Sequence, residues 1–122
     1  MAEAVHPYDM DLGTETSQPE YGSVVARDMV TQAEAASSFL KALSHEGRLM
    51  ILCHLSTGEK TVTELENLLS SRQAAVSQQL ARLRLEGLVS HRREGKAIYY
   101  SLSDDRARRM IALVYDMFCK SA

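Results

Sequence analysis

The chain has 122 residues, 45% of them hydrophobic, a formal net charge of −2 and two cysteines, Cys53 and Cys119. That length suits one domain around one core, and no apolar run approaches the ~18 residues of a membrane span. Two distant cysteines do not make a secreted disulfide framework, and Met1–His6 has neither a basic flank nor an apolar stretch, so a cytoplasmic protein without a signal peptide is expected.

Residues 1–23 hold both prolines, Pro7 and Pro19, with many polar residues, and are expected to form a mobile arm ahead of a single domain over 24–122. Met29, Ala33, Ala36, Phe39, Leu40 and Leu43 recur at helical spacing and predict a helix over about 25–43. Ser44 reads as the N-cap of a second helix over about 45–55, with Leu49, Ile51, Leu52 and Leu55 as its apolar positions and Gly58 as its stop. Thr61 followed by Glu64 is a capping-box pattern, so a short helix is expected over about 62–69. Ser70 or Ser71 caps the next helix, about 72–86, which Gly87 ends, with Val76, Leu80, Leu83 and Leu85 on its buried side. Two strands, about 89–93 and 97–102, are joined by a turn at Glu94-Gly95. A last helix starts near Ser103 or Asp104, with Ala107, Met110, Ile111, Val114, Tyr115 and Phe118 as its apolar stripe. The predicted class is therefore mainly α with a small β-hairpin: a winged helix-turn-helix of five helices and a two-stranded wing.

Charge is divided unevenly along this plan. Residues 1–40 carry seven acids against the single base Arg27, whereas residues 72–96 carry six bases against Glu86 and Glu94. Attraction to phosphate needs a local basic surface, not a basic protein, so the segment points to double-stranded DNA as partner. A helix-turn-helix places its second helix in the major groove. Ala74, Ala75 and Ser77 are small enough for close approach there, and Gln73, Gln78 and Gln79 carry amides that match adenine. Arg72, Arg82 and Arg84 are phosphate candidates, and the wing His91-Arg92-Arg93-Glu94-Gly95-Lys96 offers Arg92, Arg93 and Lys96. Tyr99 and Tyr100 alternate, so one is expected on the core side and one outside. An enzyme is disfavoured: no Cys-x-x-Cys, no βαβ pattern and no nucleotide-binding glycine loop occurs, and no cofactor is expected. A winged helix that only binds protein would not need the basic wing.

Four stretches carry a more specific resemblance: Phe39–Leu52, Ala75–Leu83, Glu86–Val89 and Arg93–Tyr100. Together they resemble the ArsR/SmtB family of winged-helix repressors over about residues 36–119. The resemblance implies a homodimer joined by the first and last helices, which occupies an operator and leaves it when an inducer binds. Many members sense metals, but the stretch equivalent to the common thiol site, Lys60 to Leu69, has neither Cys nor His. The last helix has Asp104, Asp105 and Asp116 without a histidine, a poor zinc set. No metal site is therefore assigned.

Cys53 and Cys119 remain. On residue chemistry alone, isolated helical cysteines are small buried hydrophobes or reactive thiols. The chain also resembles the SqrR/BigR-type subgroup, which carries one cysteine on each of these two helices. That resemblance implies a redox sensor in which a persulfide or polysulfide inducer bridges Cys53 and Cys119 within one subunit. Sulfurs too far apart for a strain-free disulfide would be spanned by inserted sulfur atoms. Such a bridge would alter the separation of the two recognition helices, which must match one DNA turn of ~34 Å. A general redox- or metal-responsive regulator, with structural or ligating cysteines, is the alternative.

Overall fold

The structure is a computed structural model that describes residues 18–70 and 73–120, with side chains from residue 22 and, after the break, from residue 75. The chain divides into two units that part between Ser38 and Phe39. The first contains most of helix α1, Gln18–Leu43. This helix begins before the expected Val25. Pro19 suits a first helical turn, where its missing N–H has no partner to lose. Gly22 weakens the helix by about 1 kcal/mol relative to Ala, which does not stop it. Val24, Met29 and Val30 on this part of α1 are exposed.

In the second unit, α2 spans Glu46–Leu55, α3 Val62–Leu69, α4 Gln73–Leu85 and α5 Asp105–Tyr115, closed by one π-helical turn, Asp116–Lys120. The expected Ser44 cap of α2 is corrected. His45 takes that place, its Nδ1 accepting from the Gly47 N–H at 3.0 Å, while Ser44 Oγ donates back to the Lys41 carbonyl at 2.9 Å. The capping box of α3 is present in both directions: Thr61 N–H donates to Glu64 Oε1 at 2.8 Å and Glu64 N–H to Thr61 Oγ1 at 3.1 Å. Asp104 caps α5.

Strand β2, Val89–Glu94, pairs antiparallel with β3, Ala97–Leu102, with Glu94 opposite Ala97. The loop is thus Gly95-Lys96, one residue later than the expected turn. Gly95 has φ 63° and Lys96 is not in the positive-φ region, the arrangement of a type II′ hairpin. The sheet is three-stranded, not two-stranded as expected. Lys60–Thr61 forms a two-residue strand β1 on the other side of β3, giving the order β1-β3-β2. Two residues carry no periodicity, so no sequence pattern announces this strand.

The core of the second unit draws on the end of α1, on α2, α3, α4, β2 and α5, and on Leu88 ahead of β2, with Tyr100 and Leu102 of β3 packed against it. Leu43, Ile51, Leu52, Leu55, Leu65, Val76, Leu80, Leu83, Leu88, Val89 and Ile111 are its main members, with the fully buried Ala42 and Ala107. Each large side chain contributes about 1.5–3 kcal/mol on burial. Leu85 is corrected from buried to 82% exposed. Val76, Leu80 and Leu83 share one face at i, i+4 and i+7, and two further residues turn Leu85 to the opposite side. The apolar stripe of the last helix is likewise narrower than expected, with Ala107 and Ile111 buried but Tyr115 and Phe118 exposed. No described helix is long and apolar enough to cross a membrane.

Candidate functional site

Burial of Val76, Leu80 and Leu83 sets the rotation of α4. Ser77 and Gln78 therefore stand exposed beside Ala81 and Arg82, as a groove-reading face requires. Gln73 and Ala74 lie in the first turn of α4, though their side chains are outside the described set, and Arg72 lies outside the described residues. Gln79 has a different neighbour from the one expected. It is half-buried with its amide over Gly47 of α2, where a Cβ would come within 2.5 Å of Nε2. A side chain at position 47 would displace the Gln79 amide from this place.

The cations divide into paired and unpaired groups. Arg82 Nε lies 3.3 Å from Glu86 across one turn of α4. On the wing, Arg92 is clamped from two sides: Nη2 and Nε meet the Glu59 carboxylate at 2.7 and 3.1 Å, and Nη1 meets Glu94 at 2.8 Å. Its guanidinium also covers the Tyr99 ring, 4.7 Å from the centroid. The Arg92 hydrogen bond holds the Glu59 carboxyl below the ordinary glutamate range, and the charge attraction acts in the same sense. Arg84, Arg93 and Lys96 are exposed and, among the described residues, have no acidic partner. Glu59 is a functional neighbour that sequence reasoning missed, since it lies 33 residues before Arg92. On the other face of the hairpin His91 stacks on Tyr100, centroids 5.4 Å apart, and Tyr100 packs against the core.

Cys53 lies in the last half of α2, partly buried at the edge of the core, and Cys119 is exposed in the π-helical turn after α5. Both are free thiols. Burial pushes the Cys53 thiol up, and the charge of Cys119 acts more weakly in the same sense. A cleft of about 390 Å³ opens beside Cys53, lined by Ser56 and by Arg108, Ile111, Ala112 and Tyr115 of α5. Arg108 was not singled out from the sequence, where it is one of several arginines on a helix. Among the described residues no group of three or more His, Cys, Asp or Glu side chains is placed to hold a metal ion.

A helical core that presents an exposed second helix next to a three-stranded sheet with a basic hairpin is a winged helix-turn-helix, the class that docks a helix in the major groove. Residues 45–91 match the profile of bacterial regulatory proteins of the arsR family. The chain is 43% identical over 100 residues to the biofilm growth-associated repressor of Agrobacterium fabrum, covering 82% of this chain and 86% of that protein. It is 39% identical over 95 residues to the transcriptional activator HlyU of Vibrio cholerae, covering 78% of this chain and 88% of the relative. The crystal structure of the transcriptional repressor BigR from Xylella fastidiosa superposes with a TM-score of 0.74 at 40% identity, over 77% of this chain and 96% of that one. Reduced HlyU from Vibrio cholerae superposes with a TM-score of 0.72 at 40% identity, over 76% and 98%. The chain belongs to the ArsR family and is a transcription regulator of that family.

Proposed function

We propose that this regulator is a homodimeric repressor that binds operator DNA through α4 and the wing, and that releases it when a reactive sulfur species bridges Cys53 and Cys119 within one subunit. The observation that carries the reading is a pair of free thiols, Cys53 on α2 and Cys119 in the turn that continues α5, with α2 packed on α5. The kinship with proteins named as repressors supports the sense of regulation, although one relative is named an activator. Dimerisation through α1 and the last helix is supported by apolar side chains that stay exposed there, Leu40, Leu113, Met117 and Phe118 among them.

The chemistry conserves atoms and electrons. A thiolate attacks the outer sulfur of a persulfide and expels the carrier thiolate. The second cysteine, loaded by another persulfide in the same way, attacks the Sγ of the first with its own outer sulfur and expels hydrosulfide, closing a trisulfide bridge that keeps one inserted sulfur. The test combines anaerobic treatment with a persulfide donor, a parallel peroxide arm, intact mass with tryptic mapping, and binding to a duplex selected from a random pool. The expected result is a Cys53–Cys119 crosslink that carries extra sulfur and coincides with DNA release. A Cys53→Ser protein that still releases DNA on persulfide treatment overturns the switch. The same crosslink under both oxidants, without extra sulfur, makes the protein a general redox sensor. Sedimentation of the untreated protein at micromolar concentration reads the dimer, and a monomer there overturns that part.

A further inference from the structure

We propose that the cleft beside Cys53 seats the organic part of a carboxylate-bearing persulfide, with Arg108 holding the carboxylate. The inference rests on the sulfur-sensing reading above and names the class of inducer that the site selects. Arg108, Ile111, Ala112 and Tyr115 recur at i, i+3, i+4 and i+7 and so form one stripe of α5, which faces Cys53 and Ser56 at the end of α2. The stripe is apolar except for Arg108 and the Tyr115 hydroxyl. At about 390 Å³ the cleft has the size of a small-molecule site, far more than hydrogen sulfide or peroxide would fill.

The polar groups of the cleft are unequally committed. Ser56 Oγ already donates to the Cys53 carbonyl at 2.6 Å. Arg108 has no carboxylate partner among the described residues, whereas Arg106, two residues earlier, is clamped by Asp104 at 2.6 Å and lies over Phe39. Of the three arginines of this helix, Arg106 is held by Asp104, whereas Arg108 and Arg109 have no acidic partner among the described residues and only Arg108 lines the cleft; a guanidinium fork matches a carboxylate. The part assigned to Arg108, as a cleft-lining side chain, is to hold the ligand as a positioning residue. The step it orients is attack of the Cys53 thiolate on the outer sulfur of R–S–SH. The Cys53–S bond forms, the S–S bond of the donor breaks, RS⁻ leaves and takes a proton, and Cys53 becomes the persulfide.

The test compares two persulfides that differ only in charge, those of N-acetylcysteine and of N-acetylcysteinamide. Substoichiometric doses go to the full-length protein, and the first sulfur is located by alkylation and mapping. The acid is expected to load Cys53 about tenfold faster than the amide, the scale of one charge-assisted contact. Arg108→Gln should abolish the difference and Arg108→Lys should keep part of it. The rate of Cys53 with neutral iodoacetamide should stay unchanged, which a damaged fold would not allow. Equal rates for acid and amide in the wild type, a preference that survives in Arg108→Gln, or no loading of Cys53 by either donor would each overturn the proposal. Selective loading of Cys53 without a bridge to Cys119 would leave the seat standing and sink the switch instead.

Discussion

Cys53 and Cys119 are the same residue type in two environments, and their reactivity follows from that difference. A thiolate is the nucleophile, and burial opposes its formation at Cys53, which leaves Cys119 the readier target for an unguided reagent. Iodoacetamide at neutral pH is therefore expected to modify Cys119 first, with Cys53 roughly tenfold slower. The Cys53 rate should climb only at a pH above the ordinary thiol range, and mass spectrometry of a time course across pH reads it. A Cys53 profile that climbs within the ordinary thiol range would refute the assignment. Because the folded Cys53 pKa is raised, the protonated thiol favours the fold below the ordinary thiol range, and this contribution fades as pH rises through the folded value. Asp104 makes a second argument at this scale. It accepts from the Arg106 backbone N–H at 2.8 Å at the start of α5, and it also holds the Arg106 side chain. Asp104→Ala should cost about 1 kcal/mol in a urea titration, the usual loss for an N-cap.

The wing is the element whose behaviour departs most from its composition. His91-Arg92-Arg93 reads as three similar residues, yet Arg92 is bound to Glu59 and Glu94 while Arg93 is unpaired among the described residues. Glu59 ties the segment after α2 to β2, next to the two-residue strand β1 that completes the sheet. Glu59→Gln removes one of the two carboxylates from Arg92 and makes it more available to a phosphate. DNA affinity should rise and its salt dependence steepen by up to about 0.9 log unit per log of salt, the increment for one more neutralised phosphate. Fluorescence anisotropy at several salt concentrations measures this. An unchanged slope would mean that Arg92 braces the wing and does not touch DNA. Acid should act in the same direction only below the ordinary glutamate range near pH 4.3, because the pairing depresses the Glu59 pKa and is lost as pH falls through the depressed value.

For the whole molecule, one core joins the thiol-bearing helix to the reading helix, since α2 packs on both α4 and α5. Leu80 is fully buried in that core on α4. Leu80→Ala should cost about 2–5 kcal/mol and lower DNA binding through the fold, with thermal unfolding and binding shifting together. The amino-acid sequence by itself determined the helices, the wing and the face of α4 that stands outward, because apolar periodicity, the Thr61–Glu64 box and the hairpin glycine act over a few neighbouring residues. It also set two cysteines on two particular helices. Only the tertiary structure decided which of the similar residues are free to act. Gln79 packs over Gly47, Arg92 is held by Glu59, and Arg108 lines the cleft beside Cys53. Each of those outcomes depends on groups that lie on different elements. Such contacts arise from how the helices and strands pack, and spacing along the chain does not encode them.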